Sequence, residues 1–390
     1  MDNTLYVEVH ILQSVPPSNI NRDDSGTPKQ AVYGGARRAR VSSQAWKRAT
    51  RIHFASNVPE TDRATRTKRI SALLAEQLVQ STAKDGTGLT AEQANRLAGT
   101  LLEPLGITKS AKKEDQSAYL LFFGKQQLDS LVTLLKGRAT ELAALSDKDL
   151  KEEVSKLPVV TALSTGHPAE VALFGRMVAD LKDLNVDAAV QVAHALSTHA
   201  VRTEFDYFTA VDDENLEDTG ASMIGTVEFN SSTLYRYAVL GVHQLMDNLS
   251  SAESTRDTTV RFVDSFARSM PTGYQNSFAH RTLPHLVLIT VRTDQPVNLV
   301  SAFEQPVTGY NGLATESATR LANELTAVAT AWGTRPQRTL ATYAVEGHNL
   351  TEAFGPSVTF PAVLETLGDL VGHWLTNGTL ANDTSQRTNA

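Results

Sequence analysis

The chain has 390 residues and a formal net charge of −7, with ordinary fractions of apolar and charged residues. This length is enough for one large core or two smaller ones. The absence of cysteine excludes disulfides, thiolate metal sites and cysteine nucleophiles, and it fits a reducing cytoplasm. Because no apolar run approaches the length of a membrane span and the amino-terminal residues lack a signal-peptide pattern, we expect a cytoplasmic protein with no membrane partner.

The charge is distributed unevenly along the chain. Residues 1–69 contain 12 Lys/Arg and 6 Asp/Glu, a balance of +6, whereas the remaining residues have a balance of −13. Binding of a polyanion follows the local field rather than the total charge. A nucleic-acid site near the amino end is therefore compatible with an acidic protein, whose acidic remainder could meet basic patches on partner subunits.

The first predicted element is a strand over residues 4–13, where apolar and polar residues alternate. Its apolar face consists of Leu5, Val7, Val9 and Ile11, and its other face of Tyr6, Glu8 and His10. This pattern predicts a half-buried strand. We expect Pro16 and Pro17 to end it, because proline cannot donate to a β-ladder.

The next segment, from Asn21 to Arg51, is the most informative part of the chain. Between Arg37 and Arg51 it contains six Lys/Arg and no acid. The pair Gly34-Gly35 lets the backbone turn tightly and approach a ligand closely, because glycine has no Cβ.

A helix is predicted to begin at about Gln44, capped by Ser42 or Ser43. Helical spacing places Gln44, Lys47, Arg48 and Arg51 on one face and turns Ala45, Trp46, Ala49 and Ile52 inward. Charged residues on a helix are usually solvated surface, which normally mixes both signs. The uniform sign at a helix start favours phosphate or nucleic-acid contact instead.

Downstream patterns predict a helical region followed by alternating strands and helices. Residues 61–157 have apolar residues at helical spacing, and they begin with a second basic cluster, Arg63–Arg69, for which surface and nucleic-acid roles remain open. The later predictions are a strand over 186–201, two strands around a long polar loop near 203–230, a strand over 284–292, a helix over 313–332, a strand over 339–345 and a helix over 360–376.

This order of motifs resembles the CasC family, the repeated crRNA-binding backbone subunit of the type I-E CRISPR Cascade complex. The resemblance rests on these segments: Asn21-Arg22-Asp23-Asp24, Gly34-Gly35 with Arg37-Arg38, Arg40-Val41-Ser42-Ser43-Gln44, Lys47-Arg48, Leu173–Met177, Thr203–Asp213, and Gly225-Thr226 with Glu228-Phe229. It covers most of the chain.

The resemblance implies an α+β fold with an RRM-like (ferredoxin-like) palm, an all-helical fingers insertion and a β-hairpin thumb. The implied ranges are 1–60, 159–201 and 226–376 for the palm, 61–158 for the fingers, 202–225 for the thumb and 377–390 for a polar, disordered tail. Such subunits stack along CRISPR RNA, and the thumb displaces a base at intervals while the other bases pair with target DNA.

By motif position, the resemblance implies RNA-backbone contact for Arg22, Lys29, Ser42, Gln44, Lys47 and Arg51. The rest of the basic segment adds Arg37, Arg38, Arg40, Ser43 and Arg48 to the predicted RNA-binding set. Met177, Tyr207 and Phe208 would form the base-displacing wedge. Tyr274 stands where the family commonly has lysine. The implied partners are CRISPR RNA, further copies of the chain, the large, small, head and tail subunits of Cascade, and target DNA through the guide.

No catalytic residue, metal site or cofactor is predicted. The pairs Asp23-Asp24 and Asp212-Asp213 could bind Mg²⁺, but adjacent acids more often serve turns and caps. The expected function is thus a non-catalytic RNA-binding scaffold. The alternative is a metal-dependent or acid–base RNA endonuclease, using an acidic pair or His10 and His280.

Overall fold

The structure is a computed structural model. It describes residues 4–84, 86, 88–107, 109–110, 113–117, 120–178, 182–210, 223–309 and 312–380. Within these residues, no helix is both long enough and apolar enough to cross a bilayer.

Most strands belong to one antiparallel sheet. In chain order the strands are β1 (Tyr6–Ser18), β2 (Gln30–Tyr33), β3 (Ala36–Val41), β4 (Ala64–Thr67), β5 (Lys109–Ser110), β6 (Lys113–Ser117), β7 (Leu121–Gly124), β8 (Val190–Val192), β9 (Ala195–Ser197), β10 (Glu204–Ala210), β11 (Met223–Gly241), β12 (Leu286–Arg292) and β13 (Arg338–Tyr343). The order in the main sheet is β13-β12-β1-β11-β9-β3-β2, and β8 and β10 also pair with β11.

The helices lie between and after these strands. They are α1 (Ser43–Ser56), α2 (Ile70–Lys84), α3 (Ala91–Leu102), α4 (Lys125–Leu134), α5 (Ala139–Ala144), α6 (Asp147–Ser155), α7 (Val159–Ser164), α8 (Ala169–Phe174), α9 (Val242–Leu249), α10 (Ala252–Arg268), α11 (Gln275–Phe278), α12 (Leu313–Trp332), α13 (Leu350–Phe354) and α14 (Phe360–Asn377).

The chain divides into two compact units. The first contains residues 1–54, 190–243 and 252–390, and the second contains residues 55–189 and 244–251. The palm, fingers and thumb ranges were predicted on other grounds and stay predictions.

The first unit is built around β1, which is longer and more deeply buried than its pattern predicts. The strand continues to Ser18, and its pairing with β11 shifts register between Val15 and Ser18, so Pro16 and Pro17 lie in a bulge where no ladder bond is required. The expected solvent face is also buried, because α12 packs its apolar residues over it in a cluster that includes Leu12 and Leu321. Alternation alone therefore underestimated burial.

Burial of the polar face of β1 is accommodated by a hydrogen-bonded network. The Glu8 carboxylate lies 2.7 Å from the Arg292 guanidinium nitrogen Nε, and it also accepts from the hydroxyls of Tyr237 and Thr290. His10 Nδ1 lies 2.9 Å from the Tyr235 hydroxyl. Burial lowers the pKa of His10 to about 4, so its imidazole is neutral at pH 7. The side chains of Glu8 and His10 thus have hydrogen-bond partners in the protein interior.

The predicted strand over 186–201 is interrupted. The structure contains β8 and β9, each of three residues, and both pair with β11. Between them, the backbone N–H of Ala193 still donates to the carbonyl of Tyr237. A run rich in alanine and valine indicated the strands but not the break.

The second unit has its own apolar core, formed by helices α2 to α7. A capping box formed by Thr90 and Gln93 begins α3. The expectation of an all-helical insertion over 61–158 is wrong, because β4 pairs with β7 and β5 with β6 inside that range. The run Leu121–Gly124 is fully buried, and a short apolar run cannot be assigned to helix or strand by periodicity alone.

The Glu8–Arg292 pair generates a stability prediction. We expect Glu8→Ala to destabilise the protein by about 3–5 kcal/mol, because it leaves a buried guanidinium without its carboxylate. The double variant Glu8→Ala with Arg292→Met should be less destabilised than Glu8→Ala alone. Urea unfolding monitored by circular dichroism measures both.

The matched control is Glu365→Gln, which changes an exposed carboxylate in α14 of the same unit. It should shift the free energy of unfolding by less than about 0.5 kcal/mol. Equal effects of Glu8→Ala and Glu365→Gln would contradict a stabilising role for the buried pair.

Candidate nucleic-acid interface

The β2–β3 hairpin turns through Gly34 and Gly35, which have φ of +57° and +73°. Two consecutive positive φ values are required by the two-residue turn that matches the twist of a β-hairpin. A Cβ on Gly34 would lie 1.6 Å from the carbonyl oxygen of Glu304, whereas one on Gly35 would have no neighbour within 4 Å. The close approach that the glycine pair predicts is therefore made to the protein's own backbone rather than to a ligand.

Arg38 is a correction to the predicted RNA-binding set. Its side chain is fully buried, and its guanidinium donates to the carbonyl oxygens of Tyr33, Ser197, Phe303 and Glu304. Burial lowers its pKa. Because its donors are all directed at carbonyls, Arg38 anchors the hairpin and does not present a charge at the surface. A run of arginines in the sequence gave no sign of which one is buried.

The loop before the hairpin is held by hydrogen bonds to the side chains of Asn21 and Asp23. The side-chain oxygen Oδ1 of Asn21 accepts a hydrogen bond from the backbone N–H of Ser42 at 2.9 Å. The backbone carbonyl of Asn21 accepts one from the backbone N–H of Lys29 at 2.8 Å. Asp23 Oδ1 accepts from the N–H groups of Ser25 and Thr27, which is the turn role expected of an acidic pair. Asn21 thus joins the loop to the start of α1.

Helix α1 begins at Ser43, one residue before the predicted start. Ser42 is the cap residue, since its Oγ accepts from the N–H of Ala45 at 3.3 Å. Because Ser42 is buried, its hydroxyl serves the helix and does not face solvent. Ser43 and Gln44 are the polar side chains with exposed surface at this helix start.

The inward face of α1 differs from the predicted one. Trp46, Thr50 and Phe54 are buried, whereas Ile52 is 49% exposed. The guanidinium carbon of Arg236 lies 3.8 Å from the Trp46 ring centroid, a cation–π contact between β11 and α1. Trp46, Thr50 and Phe54 are four residues apart and therefore share the buried face of α1. Lys47 and Arg48 lie outside this face.

Six cations of the hairpin, its preceding loop and α1 retain surface. Arg22, Arg37 and Arg48 are exposed and Lys29, Arg40 and Lys47 are half-buried. Within the described part of the chain, no ion pair joins any of the six to a carboxylate. Arg51 is also half-buried. We call the six residues other than Arg51 the cation group: Arg22, Lys29, Arg37, Arg40, Lys47 and Arg48.

Parts of the cation group are connected by local structure. Lys29 and Arg40 line the same small pocket, and the N–H of Arg40 donates to the carbonyl of Lys29 at 2.9 Å. Arg37 donates to the Gln30 side chain. The pocket is also lined by Asn21, whose side chain binds the Ser42 N–H, and by Val41, the residue before the Ser42 cap.

Arg22 stacks on an aromatic ring. Its guanidinium carbon lies 4.5 Å from the Tyr274 ring centroid, and Tyr274 makes an edge contact with Phe278. Tyr274 has φ of +50°, a left-handed conformation that is uncommon for a residue other than glycine. The Tyr274 ring thus orients Arg22 and contributes no charge of its own.

The predicted wedge residues lie on two separate segments. Tyr207 and Phe208 belong to a two-stranded ribbon, defined here as β10 paired with Met223–Phe229 of β11, and they are 62% and 41% exposed. Met177 is 86% exposed and belongs to the second unit. It follows Arg176, whose buried guanidinium donates to the carbonyls of Phe122, Leu163 and Leu184.

The two histidines considered for acid–base chemistry lie in the protein interior. His10 and His280 are both buried, and His280 Nε2 lies 3.0 Å from the carbonyl oxygen of Pro271. The pair Asp212-Asp213 lies outside the described residues. Among the residues that are described, no group of three or more His, Asp or Glu side chains is arranged to hold a metal ion.

Two arginines of the Arg63–Arg69 cluster in the second unit have polar partners within the protein. Arg63 Nε donates to the carbonyl of Val58, and Arg69 lies 3.8 Å from Glu76. Arg66 and Lys68 are exposed, so the choice between a surface role and a nucleic-acid role stays open.

Comparison with known proteins identifies the family. The family model described as CT1975-like protein, a model of Cas proteins, matches residues 7–365. The chain belongs to this family. A search of curated proteins finds no significant match for this CT1975-like chain.

Two solved structures resemble this CT1975-like chain over nearly its whole length. One is a chain of a "CRISPR RNA-guided surveillance complex, pre-nicking", with a TM-score of 0.81, 30% identity, and coverage of 94% of this chain and 100% of that one. The other is a chain of a "CRISPR RNA-guided surveillance complex", with a TM-score of 0.70, 27% identity, and coverage of 93% and 99%. The mixed α+β architecture with its antiparallel sheet matches both.

The hairpin turn offers a matched pair of variants. Gly34→Ala and Gly35→Ala each place a Cβ at a positive φ, which costs about 1–2 kcal/mol, but only Gly34→Ala also collides with the Glu304 carbonyl. We therefore expect Gly34→Ala to lower the free energy of unfolding by at least about 2 kcal/mol more than Gly35→Ala. Parallel urea titrations measure the difference, and equal losses would show that the hairpin does not contact Glu304.

Proposed function

We propose that this chain is a non-catalytic RNA-binding scaffold that oligomerises along CRISPR RNA as the backbone of a type I-E Cascade surveillance complex. In this proposal the large sheet is an RRM-like palm, the ribbon belongs to the thumb and the second unit provides the fingers. Support comes from the CasC-like motifs and from similarity to chains of CRISPR RNA-guided surveillance complexes.

The observation that carries the proposal is the cation group. Six lysines and arginines of one hairpin, its preceding loop and the following helix have solvent-accessible surface, and none forms a carboxylate ion pair in the described structure. Arg96 and Arg138 of the second unit are each paired with a carboxylate. The clustering of six unpaired cations within residues 22–48, in a chain of net charge −7, favours a ligand that supplies the counter-charge.

The chemistry of these side chains favours phosphate over bases. Lys47 and Arg48 are long and mobile donors on an exposed helix face, suited to the repeated negative charge of a sugar–phosphate backbone. A guide-holding subunit must accept any spacer sequence, so its grip must be indifferent to base identity. Sequence selection is then left to base pairing with the target.

The aromatic and methionine side chains have a different role in the proposal. Met177, Tyr207 and Phe208 are the predicted wedge that separates stacked bases, an action for which apolar and aromatic groups are suited because every base has a π-face. Arg22, stacked on Tyr274, is positioned to contact a phosphate. Further copies of the chain and the large, small, head and tail subunits are the proposed protein partners, and target DNA binds through the guide.

The proposal predicts a salt-dependent and sequence-independent affinity. Lys47→Ala with Arg48→Ala should weaken binding of unrelated single-stranded RNAs about equally, and it should reduce the slope of log K against log salt by about 1.4, because each lost phosphate contact contributes about 0.7. Fluorescence anisotropy over a salt series measures both quantities, with the partner subunits present where assembly requires them.

The control variant is Lys136→Ala with Lys148→Ala, which removes two exposed lysines of the second unit. It changes the net charge equally and should leave the slope unchanged. A loss that depends strongly on RNA sequence, or an equal effect of the two double variants, would contradict phosphate contact by the cation group.

The absence of catalysis is tested with the same RNAs. We expect end-labelled RNA to remain intact on incubation with purified protein, with and without Mg²⁺. Cleavage that Asp24→Ala abolishes would instead support the endonuclease alternative. The variant Ser25→Ala, at the neighbouring exposed position, is the control for loop disturbance.

A further inference from the structure

The two faces of the ribbon carry different chemistry. The register pairs Phe205 with Glu228 and Tyr207 with Thr226, so these four side chains share one face. The other face carries Glu204, Asp206 and Phe208, opposite Phe229, Val227 and Gly225. The adjacent aromatic residues Tyr207 and Phe208 therefore point in opposite directions and cannot act on the same side of the ribbon.

Phe208 is held against the partner strand. A Cβ built on Gly225 would lie 2.3 Å from the Phe208 Cζ atom, so the ring covers the bare backbone of the glycine opposite it. Phe205 and Tyr207 have no such cover. They are 67% and 62% exposed, and within the described residues neither ring makes an aromatic contact.

The spacing of Phe205 and Tyr207 suits one planar ring between them. Residues i and i+2 of an antiparallel strand are about 6.8 Å apart, which is about twice the 3.4 Å separation of stacked bases. Two aromatic side chains that project from the same face at this spacing leave a slot one base thick. A base in the slot would stack on both of its faces.

The charges around the slot favour a base over a phosphate. Glu228 lies directly across from Phe205, and Asp206 lies between the two aromatic residues on the opposite face. These acids repel a phosphate group. A carboxylate can accept a hydrogen bond from the exocyclic amine of a base, so Glu228 is compatible with a nucleobase at the Phe205 end of the slot.

We propose that Phe205 and Tyr207 clamp one unstacked RNA base between their rings, with Phe208 acting as a spacer fixed on Gly225. This inference rests on the proposed RNA-binding function and replaces part of the predicted wedge, in which Phe205 had no role. It assigns a binding role to a residue that the motif comparison did not single out.

The test is photo-cross-linking of RNA that carries a single 5-iodouridine at successive positions, bound to the full-length protein with its partner subunits where assembly requires them. Iodouridine cross-links to aromatic side chains on which it stacks, and peptide mapping identifies the side chain. We expect cross-links to Phe205 and Tyr207 at selected RNA positions. Phe205→Leu should lower the Tyr207 cross-link yield about tenfold, because one of the two stacks is lost.

Two measurements keep failure of the clamp distinct from failure of RNA binding. Anisotropy is measured first on every variant, and Phe205→Leu should retain RNA affinity within about threefold, since the cation group provides the backbone contacts. The control Trp332→Leu removes an aromatic side chain that is 77% exposed at the end of α12. It should change neither affinity nor cross-linking.

Three outcomes overturn the inference. Intact RNA binding with cross-links only to Phe208, or with none on the ribbon, excludes the clamp and leaves the proposed function standing. Unchanged cross-linking in Phe205→Leu with reduced self-association in sedimentation shows instead that this face docks protein. Absence of RNA binding by the wild-type assembly overturns the proposed function itself, and the clamp with it.

Discussion

Burial of the Arg38 guanidinium is the constraint on which the candidate interface depends. Four carbonyl oxygens accept from it, two of them from residues 303 and 304, and the Gly34 backbone packs on the same Glu304 carbonyl. This contact fixes the hairpin against the body of the first unit. Because the hairpin is fixed, the adjacent Arg37 and Arg40 emerge at defined positions beside the start of α1.

Two further buried arginines hold elements to which the proposed function assigns RNA contact. Arg236 is buried between Trp46 and Phe266, donates to Gln13 and to backbone carbonyls, and keeps α1 on the sheet. Arg176 is buried before Met177 and donates only to carbonyls. Burial lowers the pKa of Arg236 to about 9 and that of Arg176 to about 10, so both remain charged at pH 7. The acceptors of both guanidinium groups are uncharged amide and carbonyl oxygens, which do not supply a full negative charge.

The surface of the ribbon differs from the cation group in its charge and polarity. It carries the acids Glu204, Asp206 and Glu228 next to exposed rings, and it belongs to the same unit as the cation group. In the proposed function, the first unit thus combines phosphate contacts by the cation group with base contacts by the ribbon. This division of labour is what a protein needs if it is to hold a nucleic acid without reading its sequence.

The sequence by itself determined the cation-rich segment, the bounds of α12 and the existence of strands β10 and β11, and it limited the cap of α1 to Ser42 or Ser43. Each of these depends on local spacing. Only the tertiary structure decided which arginine is buried, which face of α1 turns inward and that both faces of β1 are covered. It also decided that Leu121–Gly124 is a strand. These outcomes depend on strand register and on packing between residues distant in the chain, neither of which periodicity encodes.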